Sequence, residues 1–342
     1  MHGSRRSVVV VAVASLAISL GAAGCGSGDD GAGGGSTALT VALSGLDASQ
    51  AEGAVAEAKG YFKEAGLEVE FVNSGSNVVS AVVSGQADIG SVGLPGPMLP
   101  AGDGKNTSII AAKAAGGSAA HVAAKPGVSG IKECKSVATA GVGTVSYGWT
   151  KYYEKAFGLG WSIKAVSSAT DAVNLMVTGQ VDCSVLPSSS LAPVIKDGKA
   201  VMLVSPTTKA GLPADFPTDI VGAVLFGLPD NLKKKKEAVV AFLAAWNKAV
   251  TFMGETPEQA SEAIRTVPGW DTLSAANVRS ALDAGKPFRW PNQGKINAAS
   301  WPGQLEWFVN GGTALKGGTT AEVWSFDRRV DMSYLDQAIS AN

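Results

Sequence analysis

The feature that most constrains this 342-residue chain is a self-similarity at an offset of 94 residues. Val79, Val83, Gly85, Gln86 and Asp88 match Val173, Val177, Gly179, Gln180 and Asp182. Fifteen residues past each aspartate the match returns, as Asp103-Gly104-Lys105 and Asp197-Gly198-Lys199. Residues 77–84 and 171–178 carry apolar side chains at helical spacing and stop at a glycine, which suits the position just past a helix end. Each is followed by a short apolar strand, 89–92 or 183–186, then a proline-containing turn, a short helix and another strand. Two blocks repeating at one offset predict two related α/β units.

Around the repeats the pattern runs strand, helix, strand. Residues 39–43 read as a strand, 49–65 as a helix and 67–72 as an alternating strand. In the second unit 136–140 is a strand, 146–157 a helix and 161–166 a strand. After Pro217 a strand at 220–226 leads into a long helix at 233–253, and the rest is mainly helical. Alternating β and α elements predict mostly parallel sheets flanked by helices. Stretches near 119–124 and 220–226 are expected as hinge crossings. The expected division is lobe one at 38–122 and 223–342 with the C-terminal helices, and lobe two at 123–222.

The N-terminal residues read as a targeting segment. Arg5 and Arg6 precede an apolar run at 8–20, which is shorter than the ~20 residues a membrane span needs. Ala22-Ala23-Gly24-Cys25 resembles a bacterial lipobox, with Ala22 where that pattern prefers leucine. The resemblance implies a signal peptide at 1–24 and lipidation of Cys25. Residues 26–37 hold six glycines, two serines and two aspartates, a flexible tether spanning roughly 20 Å. The formal charge of −1 falls to −3 once Arg5 and Arg6 leave, so no basic footprint for nucleic acid exists.

Two segments carry a family resemblance. Gly60-Tyr61-Phe62-Lys63-Glu64-Ala65-Gly66-Leu67-Glu68-Val69 and Ser84-Gly85-Gln86-Ala87-Asp88-Ile89-Gly90 resemble motifs of the nitrate/sulfonate/taurine-type ABC substrate-binding proteins, which include thiamine-precursor binders. Gly130-Ile131-Lys132 is similar to the opening of that family's second lobe. The resemblance implies an α/β, two-lobed type II periplasmic-binding-protein fold with the ligand cleft between lobes. It also implies an extracytoplasmic, lipid-anchored monomer that touches the membrane through its anchor only. Such a protein would deliver a small organic or inorganic anion to an ABC permease and ATPase complex, without cofactor, metal or catalysis. An aromatic or pyrimidine ligand, and a sensing lipoprotein with no transporter, remain the alternatives.

In open α/β sheets ligands bind beyond the carboxyl ends of the strands, where helices begin. In lobe one those positions are Ser44, Gly45 and Asp47, then Ser76 and Asn77, then Ser91 and Gly93. In lobe two they are Gly143, Thr144, Ser146 and Tyr147, then Pro187 and Ser188. These residues are rich in hydroxyls and glycine and poor in charge, and helix starts offer unpaired N–H donors to an anion. Asp219, before the return crossing, could accept a hydrogen bond from a ligand amine. His121 is the one histidine besides His2 and falls on an expected hinge strand. Trp149 and Trp270 lie near turns that could reach a cleft, and Lys233 to Lys236 read as a solvated face. No nucleophile elbow, zinc-ligand cluster or phosphate loop is present. With strand order 2-1-3 in lobe two, Cys134 and Cys183 would meet at the end opposite the cleft, within disulfide range.

Overall fold

The computed structural model describes residues 37–342 apart from 143, 215, 218–219, 311–321 and 341–342. The targeting segment, Cys25 and the start of the tether lie outside the described residues, as do Gly143 and Asp219. The first stretch comprises β1 (Ala38–Leu43), α1 (Ala51–Ala58), α2 (Tyr61–Glu64), β2 (Glu68–Asn73), α3 (Val78–Val83), β3 (Ile89–Gly93), α4 (Pro95–Met98) and β4 (Ser108–Ala115). The second comprises β5 (His121–Ala124), β6 (Ser136–Ala140), α5 (Val145–Ala156), β7 (Ser162–Val166), α6 (Ala169–Val177), β8 (Cys183–Leu186), α7 (Ser188–Lys196) and β9 (Val201–Val204). The chain returns through β10 (Val221–Gly227) to α8 (Pro229–Lys234), α9 (Lys236–Glu255), α10 (Pro257–Ile264) and α11 (Ala275–Gly285). It finishes with α12 (Trp301–Asn310), α13 (Phe326–Arg329) and α14 (Ser333–Ser340).

Two five-stranded sheets share one plan, β2-β1-β3-β10-β4 and β7-β6-β8-β5-β9. In each, the first three strands are parallel, and the fourth runs antiparallel to both its neighbours. That antiparallel strand is the one reached by crossing from the other sheet, β5 outward and β10 on the return. The expected crossing strands therefore do not span the sheets themselves. β5 is paired on both sides within the second sheet and β10 within the first. The crossings are the 3-10 turn Gly116–Ala119 and the stretch between β9 and β10.

The repeat has a local physical cause. Gly85 and Gly179 end their helices with φ of 78° and 75°, a conformation that costs glycine little. Asp88 and Asp182 then tie the turn to the first strand of their own sheet. The Asp88 N–H donates to the Thr40 carbonyl at 2.8 Å, while the Thr40 N–H donates to Asp88 Oδ2 at 3.0 Å. Asp182 makes the same pair with Ser136, at 3.1 and 3.0 Å. Each carboxylate also holds a lysine, Lys235 at 2.8 Å and Lys125 at 2.7 Å. The repeated aspartate is thus a strand clip in both sheets.

Lys235 corrects one expectation, because it is a half-buried ion-pair partner rather than part of a solvated face, and α8 gives way to α9 at this residue. The expected helix at 49–65 is likewise divided at Gly60, which adopts φ 73°.

Alternate residues of β1 face different cores. Leu39, Val41 and Leu43 pack under α1, α9, α10, α11 and α14, whereas Ala42 joins a second cluster. That second cluster runs on from the first sheet (Val224, Phe226) into the second (Val122, Val137, Val185) and includes Trp149 and Tyr153 of α5. A third cluster, with Ala123, Leu186 and Leu191, lies on the opposite face of the second sheet. α12 bridges the return crossing to α5. Gln304 accepts from the Val221 N–H at 2.7 Å and donates to its carbonyl at 3.2 Å, while the Trp307 and Trp149 rings lie 4.8 Å apart.

Cys134 and Cys183 form a disulfide with Cα atoms 5.9 Å apart. β6 and β8 are parallel neighbours in register Val137 to Cys183. Cys134 therefore stands just before β6, beside the start of β8 and away from the strands' carboxyl ends.

Candidate functional site

The carboxyl ends of β3, β6 and β8 meet the other half of the molecule along one seam. A Cβ added at Gly93 would lie 3.2 Å from Val145 Cγ2, the first residue of α5. Ser188, first in α7, is buried and donates to the Ala284 carbonyl of α11 at 2.9 Å. The seam is therefore shut, with glycine and small hydroxyls where the chains come closest.

The expected residues divide by partner. Asp47 caps the 3-10 turn Ala48–Gln50 by accepting from the Ser49 N–H at 2.7 Å, and Gly45 lies against its carboxylate. Thr144 caps α5, accepting from the Tyr147 N–H at 3.2 Å. Ser146 is buried, and Tyr147 and Pro187 are half-buried. Ser76 and Asn77 are exposed on the 3-10 turn Gly75–Asn77, and Asn77 gives α3 no side-chain cap. Trp149 is fully buried, stacked on Phe216 at 4.7 Å, and Trp270 belongs to the core of the first sheet. Neither tryptophan offers a free face.

Ser44 and Ser91 lead to residues that pattern reading missed. Ser91 is fully buried and donates to Gln50 Oε1 at 2.7 Å, while Gln50 Nε2 donates to Ser44 Oγ at 2.9 Å. The Lys113 ammonium donates to the same Gln50 Oε1 at 2.8 Å and to the Ser49 carbonyl. Glu52 lies 3.6 Å from Lys113 and 3.4 Å from Arg289. Lys113 and Glu52 are each 3% exposed. Burial pulls the Lys113 pKa down, since a dry site disfavours the charged form, and Glu52 and Asp47 oppose that pull. Two cations, Lys113 and Arg289, and two acids, Glu52 and Asp47, thus lie behind the hydroxyls of Ser44 and Ser91, and because they balance they add hydrogen bonds rather than net charge. Lys113 sits on a strand that reads as purely apolar around it, and Arg289 follows a proline-containing turn, so spacing carried no signal for either.

His121 is 1% exposed, and neither ring nitrogen has a hydrogen-bond partner. Burial alone pushes its pKa down to about 4. Its ring meets Phe288 edge-on at 5.6 Å. Two open grooves, of about 490 Å³ between α10 and α11 and about 300 Å³ beside α9, lie on the outer helices and are lined by none of the expected site residues. Among the described residues, no three His, Cys, Asp or Glu side chains gather as metal ligands, and no helix is long and apolar enough to cross a membrane.

A family model described as "NMT1/THI5 like" matches residues 50–260. No curated protein matches the sequence. Among solved structures, the nitrate-binding protein NrtA from Synechocystis PCC 6803 aligns with a TM-score of 0.72 and 14% identity, covering 90% of this chain and 89% of that one. The alkanesulfonate-binding protein SsuA from Xanthomonas axonopodis pv. citri, bound to MOPS, gives 0.65 and 15%, covering 84% and 97%. A Candida albicans gene product described as having the generic periplasmic binding protein fold gives 0.60 and 15%, covering 86% and 96%. These likenesses establish the two-lobed periplasmic-binding-protein fold.

Proposed function

Because the chain belongs to the NMT1/THI5-like family, we propose that it is an extracytoplasmic solute-binding protein of an ABC importer, tethered by a lipid on Cys25. It captures a small oxyanion of the sulfonate or nitrate class between its two lobes. The observation that carries this reading is the seam itself. The N-terminus of α5, capped by Thr144, meets the end of β3 at Gly93, where a Cβ would press on Val145 at 3.2 Å. A helix start presents unpaired N–H groups and the positive end of its dipole, worth ~0.3–1 kcal/mol to an anion and up to ~2 where partly buried. A rigid network of Ser44, Gln50, Ser91 and Lys113 adds fixed polar groups at the carboxyl ends of β1 and β3. Two proteins of this fold are an alkanesulfonate-binding and a nitrate-binding protein, which supports the same class here. A ligand that stacks on a ring is favoured less, because Trp149 is sealed by Phe216 and Trp307.

A thermal-shift and calorimetry panel of nitrate, short alkanesulfonates and an aminopyrimidine tests the proposal. A ligand at 100 times its Kd stabilises the native state by about 2.7 kcal/mol. An oxyanion is expected to raise the melting midpoint. A rise with the aminopyrimidine alone would refute the oxyanion class.

A further inference from the structure

We infer that His121 is the specificity-determining hydrogen-bond donor of the cleft, giving its ring N–H to an oxygen of the small oxyanion held between the lobes. The inference rests on the reading of the seam as a ligand cleft, and it begins from a polar side chain without a partner. The imidazole is almost wholly removed from solvent, and both of its nitrogens are unpaired. Buried polar groups are paired as a rule, and one that is not calls for a cause. The surroundings give no structural reason to keep a histidine. Its strand neighbours are Leu186 and Val122, and its ring contact is Phe288. A leucine would fill such a site with no polar atom to satisfy.

Position supplies the cause. β5 pairs antiparallel with β8, and His121 stands opposite Leu186, the last residue of that strand. It therefore sits at the carboxyl end of the second sheet, beside Pro187 and the buried Ser188 that open α7. Phe288 reaches it from the other lobe. The next residue, Arg289, bridges to Ala114 of β4, and Trp290 donates its N–H to the Lys113 carbonyl. His121 and Phe288 thus face each other across the seam, and parting the lobes draws the phenyl edge off the imidazole. At neutral pH the ring is uncharged, because burial holds its pKa near 4. It carries one N–H donor, which a ligand oxygen can accept without a buried imidazolium being formed.

The test uses His121→Leu and His121→Gln, with the nitrate or alkanesulfonate that most stabilises the wild type. His121→Leu is expected to raise the ligand-free melting midpoint, since an unpaired polar group is lost, and to weaken Kd at least tenfold. His121→Gln retains a side-chain N–H and is expected to fall between the two. Imidazole nitrogen NMR gives a separate readout, because His2 leaves with the segment before Cys25 and His121 is then the one histidine. Its ring signals should move on adding the oxyanion. Unchanged affinity in His121→Leu would overturn the inference and leave the cleft reading standing. Loss of stability and binding together in both variants would mark the imidazole as structural and overturn it too. A wild type that takes no oxyanion overturns the cleft reading and the inference with it.

Discussion

Breaking the Cys134–Cys183 bridge should cost this protein stability. The bridge joins residues 49 apart. In the chain-entropy model a closed loop of that length removes about 4 kcal/mol of unfolded-state entropy at 25 °C. Cys134 is 3% exposed and Cys183 fully buried, so serine would add the cost of two buried hydroxyls, and alanine is the cleaner substitute. For a domain of roughly 300 residues unfolding as one unit, 4 kcal/mol corresponds to a fall in Tm of about 6 °C. The Cys134→Ala/Cys183→Ala double variant should therefore show a lower denaturant midpoint than the wild type, with a steeper slope because the unlinked unfolded chain exposes more surface. Adding reductant should lower the wild type toward it and leave the variant where it was. β6 and β8 carry the bridge, so hydrogen exchange should quicken first in the second sheet. Two alkylated thiols in the unreduced protein, or equal midpoints, would refute the argument.

The strand clips and the anchor supply two further tests. Lys125, followed by the Lys135 and Ser136 donors, lowers the Asp182 pKa, so its stabilisation is complete above the ordinary carboxylate range near ~4 and is lost as pH falls through the lower folded value. Asp182→Asn should cost about 1–2 kcal/mol at neutral pH, with the gap from wild type closing only in acid; a gap independent of pH would contradict the clip. If Cys25 is lipidated, the protein expressed in a lipoprotein-processing bacterium should enter the detergent phase, and Cys25→Ser should not; partitioning unchanged by the substitution would remove the anchor.

The fold was legible because its strongest constraints are repeated. The Gly-Gln-x-Asp block encodes a helix stop, which acts within a few residues of where it is written, and a strand clip, which reaches back 48 residues to Thr40 and 46 to Ser136. Strands β6 and β8 fall where their apolar runs predict. Helix breaks were harder to read. Gly60 interrupts an apolar periodicity that continues across it, and only its φ of 73° shows the turn. Lys235 ends a helix by reaching back to Asp88, a partner 147 residues earlier, and no window along the sequence contains both. The crossings were misjudged for a similar reason. The apolar stretches at 119–124 and 220–226 do form strands, but pairing on both sides commits each to a single sheet, and the bends fall to glycine-rich and proline-rich flanks.

The site was legible only as positions. Strand ends identify where hydroxyls and helix starts gather: Ser188 bonds across to Ala284, and Thr144 caps the helix whose first residue faces Gly93. What sequence could not assign is the use of each group, since Ser, Thr and Asp at a helix start cap the helix whether or not a ligand comes. Asp47 and Thr144 spend acceptors on their own turns, and Ser91 spends its hydroxyl on Gln50. The residues of that network come from four separated segments, around Gln50, Ser91, Lys113 and Arg289, and become neighbours only once the first sheet and its C-terminal chain are assembled. Their ion pairs need the exclusion of water to matter, and exclusion is a property of the packed core. His121 inverts that logic. Packing removes its water and supplies no partner, so the most informative polar group in the seam is a ring whose two nitrogens are both left unsatisfied.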